Sequence, residues 1–531
     1  MSDIRKRQNV FNLREDWAEP ILWYARGVKA MKARKLEEPT SWNFYAAIHG
    51  ISRPLWNFYE ATTASDADPG PADRSTYLDQ CQHQSWYFPP WHRGYLLALE
   101  NMIRHEIELL NGPHENWALP YWNYFAAGQN RLPPAFSSKV WPDGADDNPL
   151  FVLQRWGDLA GNASYDITQD TNLDSMAEPG FFGPGGGTTA GFGGPLTGFN
   201  WNSGTNGALE ANPHNVIHTL VGGDHPTATF QDGTPLPGLM STPGCAALDP
   251  IFYLHHCNID RLWESWNNFF PDGKVTSDPT DWKNPTIDLW LTGPSKVGQR
   301  SFAMPNPDKT KWTYSPEQMQ EISGLSYEYD DLSPGAQIPF VTVAERMNKL
   351  GITAAGAAPA GATSMTIQDK SEMLGASSEG MRVVGSDAME RLVSMDKAVR
   401  AKVSENLSGL AISPKAPDRV FLNLENVTGA SDTAMFRVYV GLPEGADPNE
   451  IPDYLAGTVS LFGVSQASDP QGEHAGNGIT YTLEITKIVD KLHLEGNFDV
   501  GELAVKIVPR KTISETSKIH IGRISIYRQY E

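Results

Sequence analysis

The chain has 531 residues, 40% of them hydrophobic, with 16 Trp, 18 Tyr and 21 Phe and a formal net charge of −21. That length and aromatic content support a large core and two or more domains, while the acidic balance excludes nucleic acid as a partner, since phosphate binding needs clustered Lys and Arg. No run of about 18 apolar residues occurs, which excludes an apolar helix across a membrane; the opening MSDIRKRQNVFNLREDW has no apolar stretch of the secretory kind, and three cysteines make no disulfide framework, so a cytoplasmic location is expected.

From about Val10 to Pro339 the sequence is rich in Trp, Tyr and His, with helical stretches separated by long loops. Trp91 to Asn111 places Leu96, Leu99, Ile103, Ile107 and Leu110 at helical spacing, which predicts an amphipathic helix. Pro179 to Asn206 is dominated by Gly, Pro and Thr and predicts a long loop. Pro250 to Phe269 predicts a second strong helix, with Leu254, Ile259, Leu262 and Trp266 on its buried side.

After Asp331 the character changes. The stretch AAGAAPAGATS within Pro334 to Met365 has the composition of a linker, and Thr366 to Glu405 is a polar connector. From Arg419 the runs VFLNLENV, MFRVYVGL, GTVSLFGV, ITYTLEITKIV, ELAVKIV and IHIGRISIY alternate with period two, which predicts a β-sandwich of about seven strands. The expected chain is thus α + β and multidomain: a mainly helical domain over 1–335, a linker and connector over 336–415, and a β-domain over 416–531.

Ten of the 13 histidines lie between His49 and His256. His214 and His218 in NPHNVIH are four apart, so a helix puts both imidazoles on one face, where they can share a metal. His255 and His256 follow in LDPIFYLHHCNIDRLW; His83 and His92 are nine apart in CQHQSWYFPPWHR, with His49 upstream in FYAAIHG. Nothing around His105, His114, His225, His474, His493 or His520 suggests a site.

Taken together, the His83–Glu100 segment and the Asp249–Asp260 segment resemble the two copper-site signatures of the tyrosinase family, which includes plant polyphenol oxidases, catechol oxidases and molluscan haemocyanins. The resemblance implies a central four-helix bundle holding two copper ions, with dioxygen as co-substrate. It makes His49, His83 and His92 the ligands of one copper and His214, His218 and His256 those of the other, with His255 and Asp260 supporting them. The donor set suits copper, because neutral imidazole serves both of its oxidation states. A di-iron or di-manganese bundle would use Glu and Glu-x-x-His instead, and a catalytic zinc usually takes three protein ligands. Cys81, two residues before His83, resembles the family cysteine that joins its copper-binding histidine in a thioether; Cys245 and Cys257 have the setting of packed thiols.

The resemblance also implies a phenol oxidase that hydroxylates monophenols and oxidises o-diphenols to o-quinones. The alternatives are a catechol or o-aminophenol oxidase without monophenolase activity, and a haemocyanin-like oxygen carrier. Glu210, four residues before His214, and Asn215 after it match positions thought to hold and activate a water that deprotonates the phenol. Pro243 and Met240 fall where the substrate entrance is walled. Tyr327 and Tyr329 resemble the Tyr-x-Tyr motif closing the catalytic domain, with Arg14 expected as its cation–π partner. The C-terminal β-domain resembles the cover of latent family members, implying an intramolecular inhibitor and an activating protease acting over 340–415. Small phenols are the expected substrates.

Overall fold

The computed structural model describes residues 4–183, 185–198, 204–268, 284–294, 300–352, 370–409, 417–472, 475–498 and 500–530. The linker AAGAAPAGATS and His474 lie outside these. Among the described residues no helix is long and apolar enough to cross a membrane.

Five helices build the first domain around its centre: α1 (Glu19–Lys32), α2 (Trp42–His49), α3 (Phe88–Leu109), α4 (Asn215–Gly222) and α5 (Ile251–Asn267). The Ser41 side chain accepts from the Phe44 N–H and starts α2, and Gly50 ends it one residue after His49. Pro89 and Pro90 sit in the first turn of α3, where their missing N–H groups cost nothing. Just before α4 the chain kinks within Glu210–His214, where Asn212 is extended at φ −152° and ψ 122°. Eight tryptophans, among them Trp42, Trp91, Trp263 and Trp266, are fully buried around these helices. The expected helix from Trp91 starts three residues earlier, and the described residues of the Pro179–Asn206 stretch form turns, bends and one bridge, at Thr205.

A short parallel pair ties the chain's beginning to the domain's end: Arg5–Arg7 lies beside Tyr327–Tyr329. The C-terminal domain is a single antiparallel sheet of eight strands. They are β1 (Lys370–Ala376), β2 (Met389–Met395), β3 (Arg419–Val427), β4 (Met435–Val440), β5 (Leu455–Ser460), β6 (Ile479–Glu484), β7 (Glu502–Pro509) and β8 (Arg523–Tyr530). Their order is β5-β4-β7-β2-β1-β8-β3-β6. Helices α6 (Lys397–Leu407) and α7 (Thr486–Leu494) pack against β1 and β3, and the sheet curls so that its edge strands β5 and β6 touch, which accords with the β-domain expected from the alternating runs.

The sheet also begins well before residue 416. β1 pairs with β8 and β2 with β7, so Lys370–Met395, expected to be a connector, lies in the middle of the sheet. Its alternation is weak because polar residues run consecutively at Lys370–Glu372 and Glu390–Arg391, while hydrophobic Met373 and Leu392 stand exposed.

Candidate metal centre

Histidines from four helices and one loop meet between the two domains. His49 ends α2, and its Nδ1 lies 3.2 Å from the Pro243 carbonyl. His92 sits one turn into α3, with Nδ1 2.8 Å from the Phe88 carbonyl. A carbonyl only accepts, so both rings carry their proton on Nδ1 and offer the Nε2 lone pair. His83, on the loop entering α3, completes the group at ring-centroid distances of 5.3 Å from both His49 and His92. Cys81 lies against it, with Sγ 3.4 Å from His83 Nδ1.

The second group follows the same logic. His214 Nδ1 donates to Asn215 Oδ1 at 2.8 Å, and His218 Nδ1 to the Met240 carbonyl at 2.7 Å. Their Nε2 atoms lie 3.2 and 3.4 Å from His256 Nε2. Nitrogens arranged tetrahedrally around a cation at about 2.0 Å would stand roughly 3.3 Å apart. Lone pairs held this close repel one another unless a cation lies between them. The donor atoms therefore fit a metal, and His256 rather than His255 turns its Nε2 inward. His255 lies behind, stacked on His214 at 5.4 Å.

Burial pushes the histidines down, His49 to about 4 and His214 to about 3, so the imidazoles are neutral at neutral pH and free to bind metal. The His92 and His256 rings stack at 4.6 Å, so the two groups share one wall. Each group brings its potential ligand atoms within 4.8 Å of one another.

A family model, the common central domain of tyrosinase, matches residues 39–151 and 154–269, the segments that supply every one of these histidines. The chain belongs to the tyrosinase family of type-3 copper proteins. It is a copper oxidoreductase with a two-copper centre and dioxygen as co-substrate. A second model, described only as a domain of unknown function, matches residues 370–529 and so spans the whole eight-stranded sheet. A tyrosinase from Hahella sp. (strain CCB-MM4) is 28% identical over 99% of this chain and 100% of its own length. A chloroplastic polyphenol oxidase of Vicia faba is 28% identical over 47% of this chain, which spans only 37% of that protein. The fold resembles those of a latent aurone synthase (TM-score 0.58, 17% identity, 100% of this chain and 90% of that one) and of latent apple tyrosinase (TM-score 0.56, 20% identity, 99% and 97%).

Around this tyrosinase-family centre the remaining residues take distinct places. Both Glu210 oxygens accept from the Gln84 N–H, at 2.8 and 3.0 Å. Burial raises this carboxyl to about 8 against the Gln84 and Gly207 amides, which lower it. Asp260 touches no copper-site ring. It accepts from Arg93, Arg7, Tyr327 and Tyr329, and against the upward push of burial the two arginines hold it below the usual carboxylate range. These bonds tie α5 to α3 and to the paired Arg5–Arg7 and Tyr327–Tyr329 strands.

One expectation is corrected. The cation over Tyr327 is Arg7, at 3.7 Å, and not Arg14, which is exposed; the parallel Arg5–Arg7 strand delivers it, and nothing local in the sequence marks that pairing. Pro243 and Met240 are buried, and their carbonyls hold the His49 and His218 rings.

One residue was missed by sequence reasoning. Phe462, just beyond β5, enters the core of the helical domain and stacks on His218 at 4.3 Å, with His214 at 5.9 Å and His83 at 6.3 Å. In GTVSLFGV it has the pattern of an ordinary strand residue. Only the Gly463 after it, at φ 84°, marks a tight turn there.

Proposed function

We propose that the chain is a latent tyrosinase, hydroxylating monophenols and oxidising o-diphenols to o-quinones once its C-terminal domain is displaced. The observation that carries the hydroxylase reading is Glu210, a buried carboxyl raised to about 8 and bonded to the amide next to His83. A base poised near neutral pH is suited to taking the phenolic proton.

In this reading His49, His83 and His92 hold one copper and His214, His218 and His256 the other; the bound pair supplies the dioxygen-dependent oxidation. The carbonyls of Pro243, Phe88 and Met240 keep the rings aimed, and Asn215 does the same for His214 through its side-chain oxygen. Glu210 and Asn215 flank the ring where a phenol would arrive, one to hold a water and receive a proton, the other to fix the ligand. Phe462 occupies the space over His218 as an aromatic substrate would, and this supports latency. The contact between Cys81 Sγ and His83 supports a thioether, formed as the thiol and ring hydrogens leave with two electrons taken by dioxygen. Small phenols are the substrates, and a protease cutting within 340–415 is the activator.

The test is oxygen uptake by the copper-loaded chain with a monophenol, with a catechol and with neither, before and after limited proteolysis. Monophenol uptake that rises on clipping is expected. Uptake on catechol alone would leave a catechol oxidase, and no uptake after clipping would leave an oxygen carrier.

A further inference from the structure

The C-terminal domain grips the second histidine group as well as covering it. The segment from Gly204 to Thr219 carries Glu210, His214, Asn215 and His218, and it is held at both ends. At its start it extends the sheet: Thr205 bridges to Thr480 in parallel, and the Thr480 N–H donates to the Gly204 carbonyl at 2.6 Å. β6 is the outermost strand, so this pairing uses the edge that would otherwise stand open.

At the far end Ser460, the last residue of β5, reaches the first turn of α4. Its hydroxyl donates to the Asn215 carbonyl at 2.9 Å and lies 2.7 Å from the Thr219 hydroxyl, which can donate to it in turn. Ser460 and Thr219 are both buried, so neither partner is readily replaced by water. The turn spanned in this way holds Asn215, whose side chain aims His214, and His218, which Thr219 follows directly. Between the two grips, the Gly207 amide is one of the donors to Glu210.

We propose that Ser460 and Thr480 are positioning residues for the second metal group and for Glu210. The C-terminal domain is then a clamp as well as a cover. A chain opened with the domain still attached and a chain with the domain cut away differ in how tightly they keep the second copper and in how well they handle monophenols relative to catechols. This rests on the second group being a copper site.

The background for the test is Phe462→Ala in the full chain, which removes the cover and leaves both grips in place. Two coppers per chain in that variant are expected; fewer than two would sink the copper assignment itself, and the clamp with it. Ser460→Ala and, separately, Thr480→Pro are then added; the proline removes the N–H that faces Gly204 and also the hydroxyl that accepts from the Asn426 N–H, so Thr480→Val, which loses only the hydroxyl, is its control and should match the parent. Ser460→Ala and Thr480→Pro are each expected to let one of the two coppers pass to a chelator about tenfold faster and to lower the monophenol-to-catechol rate ratio several-fold. The other copper should leave at an unchanged rate. Ser460→Thr, which keeps the hydroxyl, should restore both readouts. A general loss of stability would speed both coppers and leave the substrate ratio alone. Copper release and substrate ratio identical to the Phe462→Ala parent in both Ser460→Ala and Thr480→Pro would overturn the proposal.

Discussion

Phe462, from the C-terminal domain, lies nearly parallel to the His218 ring, at 4.3 Å between centroids and 26° between planes. A stack of this kind is a favourable aromatic contact, and it covers one face of the His218 ring. Replacing Phe462 with Ala should raise catechol turnover by the uncut chain at least tenfold. Truncating a buried Phe should also cost about 3 kcal/mol of stability. Oxygen uptake and thermal melting read the two effects; turnover unchanged from the uncut parent would mean that another element closes the site.

His255 and His256 are adjacent and both buried, yet only His256 brings its Nε2 within 3.4 Å of the others. His256→Ala is expected to leave one copper per chain and no oxidation of any phenol. His255→Ala should keep both coppers, with reduced stability from the lost stacking on His214. Metal analysis of the two proteins separates them, and the opposite pattern would reverse the assignment.

The contact of Cys81 Sγ with the His83 ring predicts a cross-link that mass spectrometry can see. After copper loading in air, the peptide carrying both residues should be lighter by two hydrogens than its sequence requires. Cys81→Ser should abolish that difference. An unmodified peptide from active, copper-loaded protein would refute the thioether.

Arg7 is fully buried among Glu100, Asp260 and the Tyr327 ring. Removing one member of a buried ionic cluster leaves the others uncompensated, so Arg7→Ala should destabilise the chain by about 3–5 kcal/mol. Arg14 is exposed, and Arg14→Ala should stay within about 0.5 kcal/mol. Denaturant midpoints of the two variants provide the comparison, and equal effects would contradict the placement of Arg7.

Acid should act on the metal-free chain through its histidines. In the unfolded chain they take up protons near pH 6.5, whereas burial holds His49 at about 4 and His214 at about 3 in the folded state. Between those values the unfolded state binds more protons, so stability is present above about 6.5 and is lost as the pH falls toward 4. Bound copper competes with the protons and should move the loss to lower pH. Denaturation midpoints measured against pH, with and without copper, check this; a flat metal-free profile from pH 7 to about 4.5 would show that the histidines are not buried as neutral rings.

How far the sequence is legible depends on the range of the contacts involved. His214 and His218 are four apart on one helix, so local spacing puts them on one face; the two sets of three came from the resemblance of the His83–Glu100 and Asp249–Asp260 segments to the family's copper-site signatures. The buried periodicity of Trp91–Asn111 and Pro250–Phe269 likewise carries the two central helices. The Lys370–Met395 strands were hidden because polar residues run consecutively in them and hydrophobic Met373 and Leu392 face solvent, leaving little alternation to read.

By itself, then, the sequence determined the chemistry: six histidines in two sets, a cysteine beside one of them, and the helices that carry most of the rings. Tertiary structure alone decided that Arg7 rather than Arg14 meets Tyr327, that the Pro243 and Met240 carbonyls hold the His49 and His218 rings, and that Phe462 covers His218. Spacing along a helix fixes direction over one or two turns. The meeting of Phe462 with His218, or of Arg7 with Tyr327, joins segments hundreds of residues apart, and only the packing of whole domains brings them together.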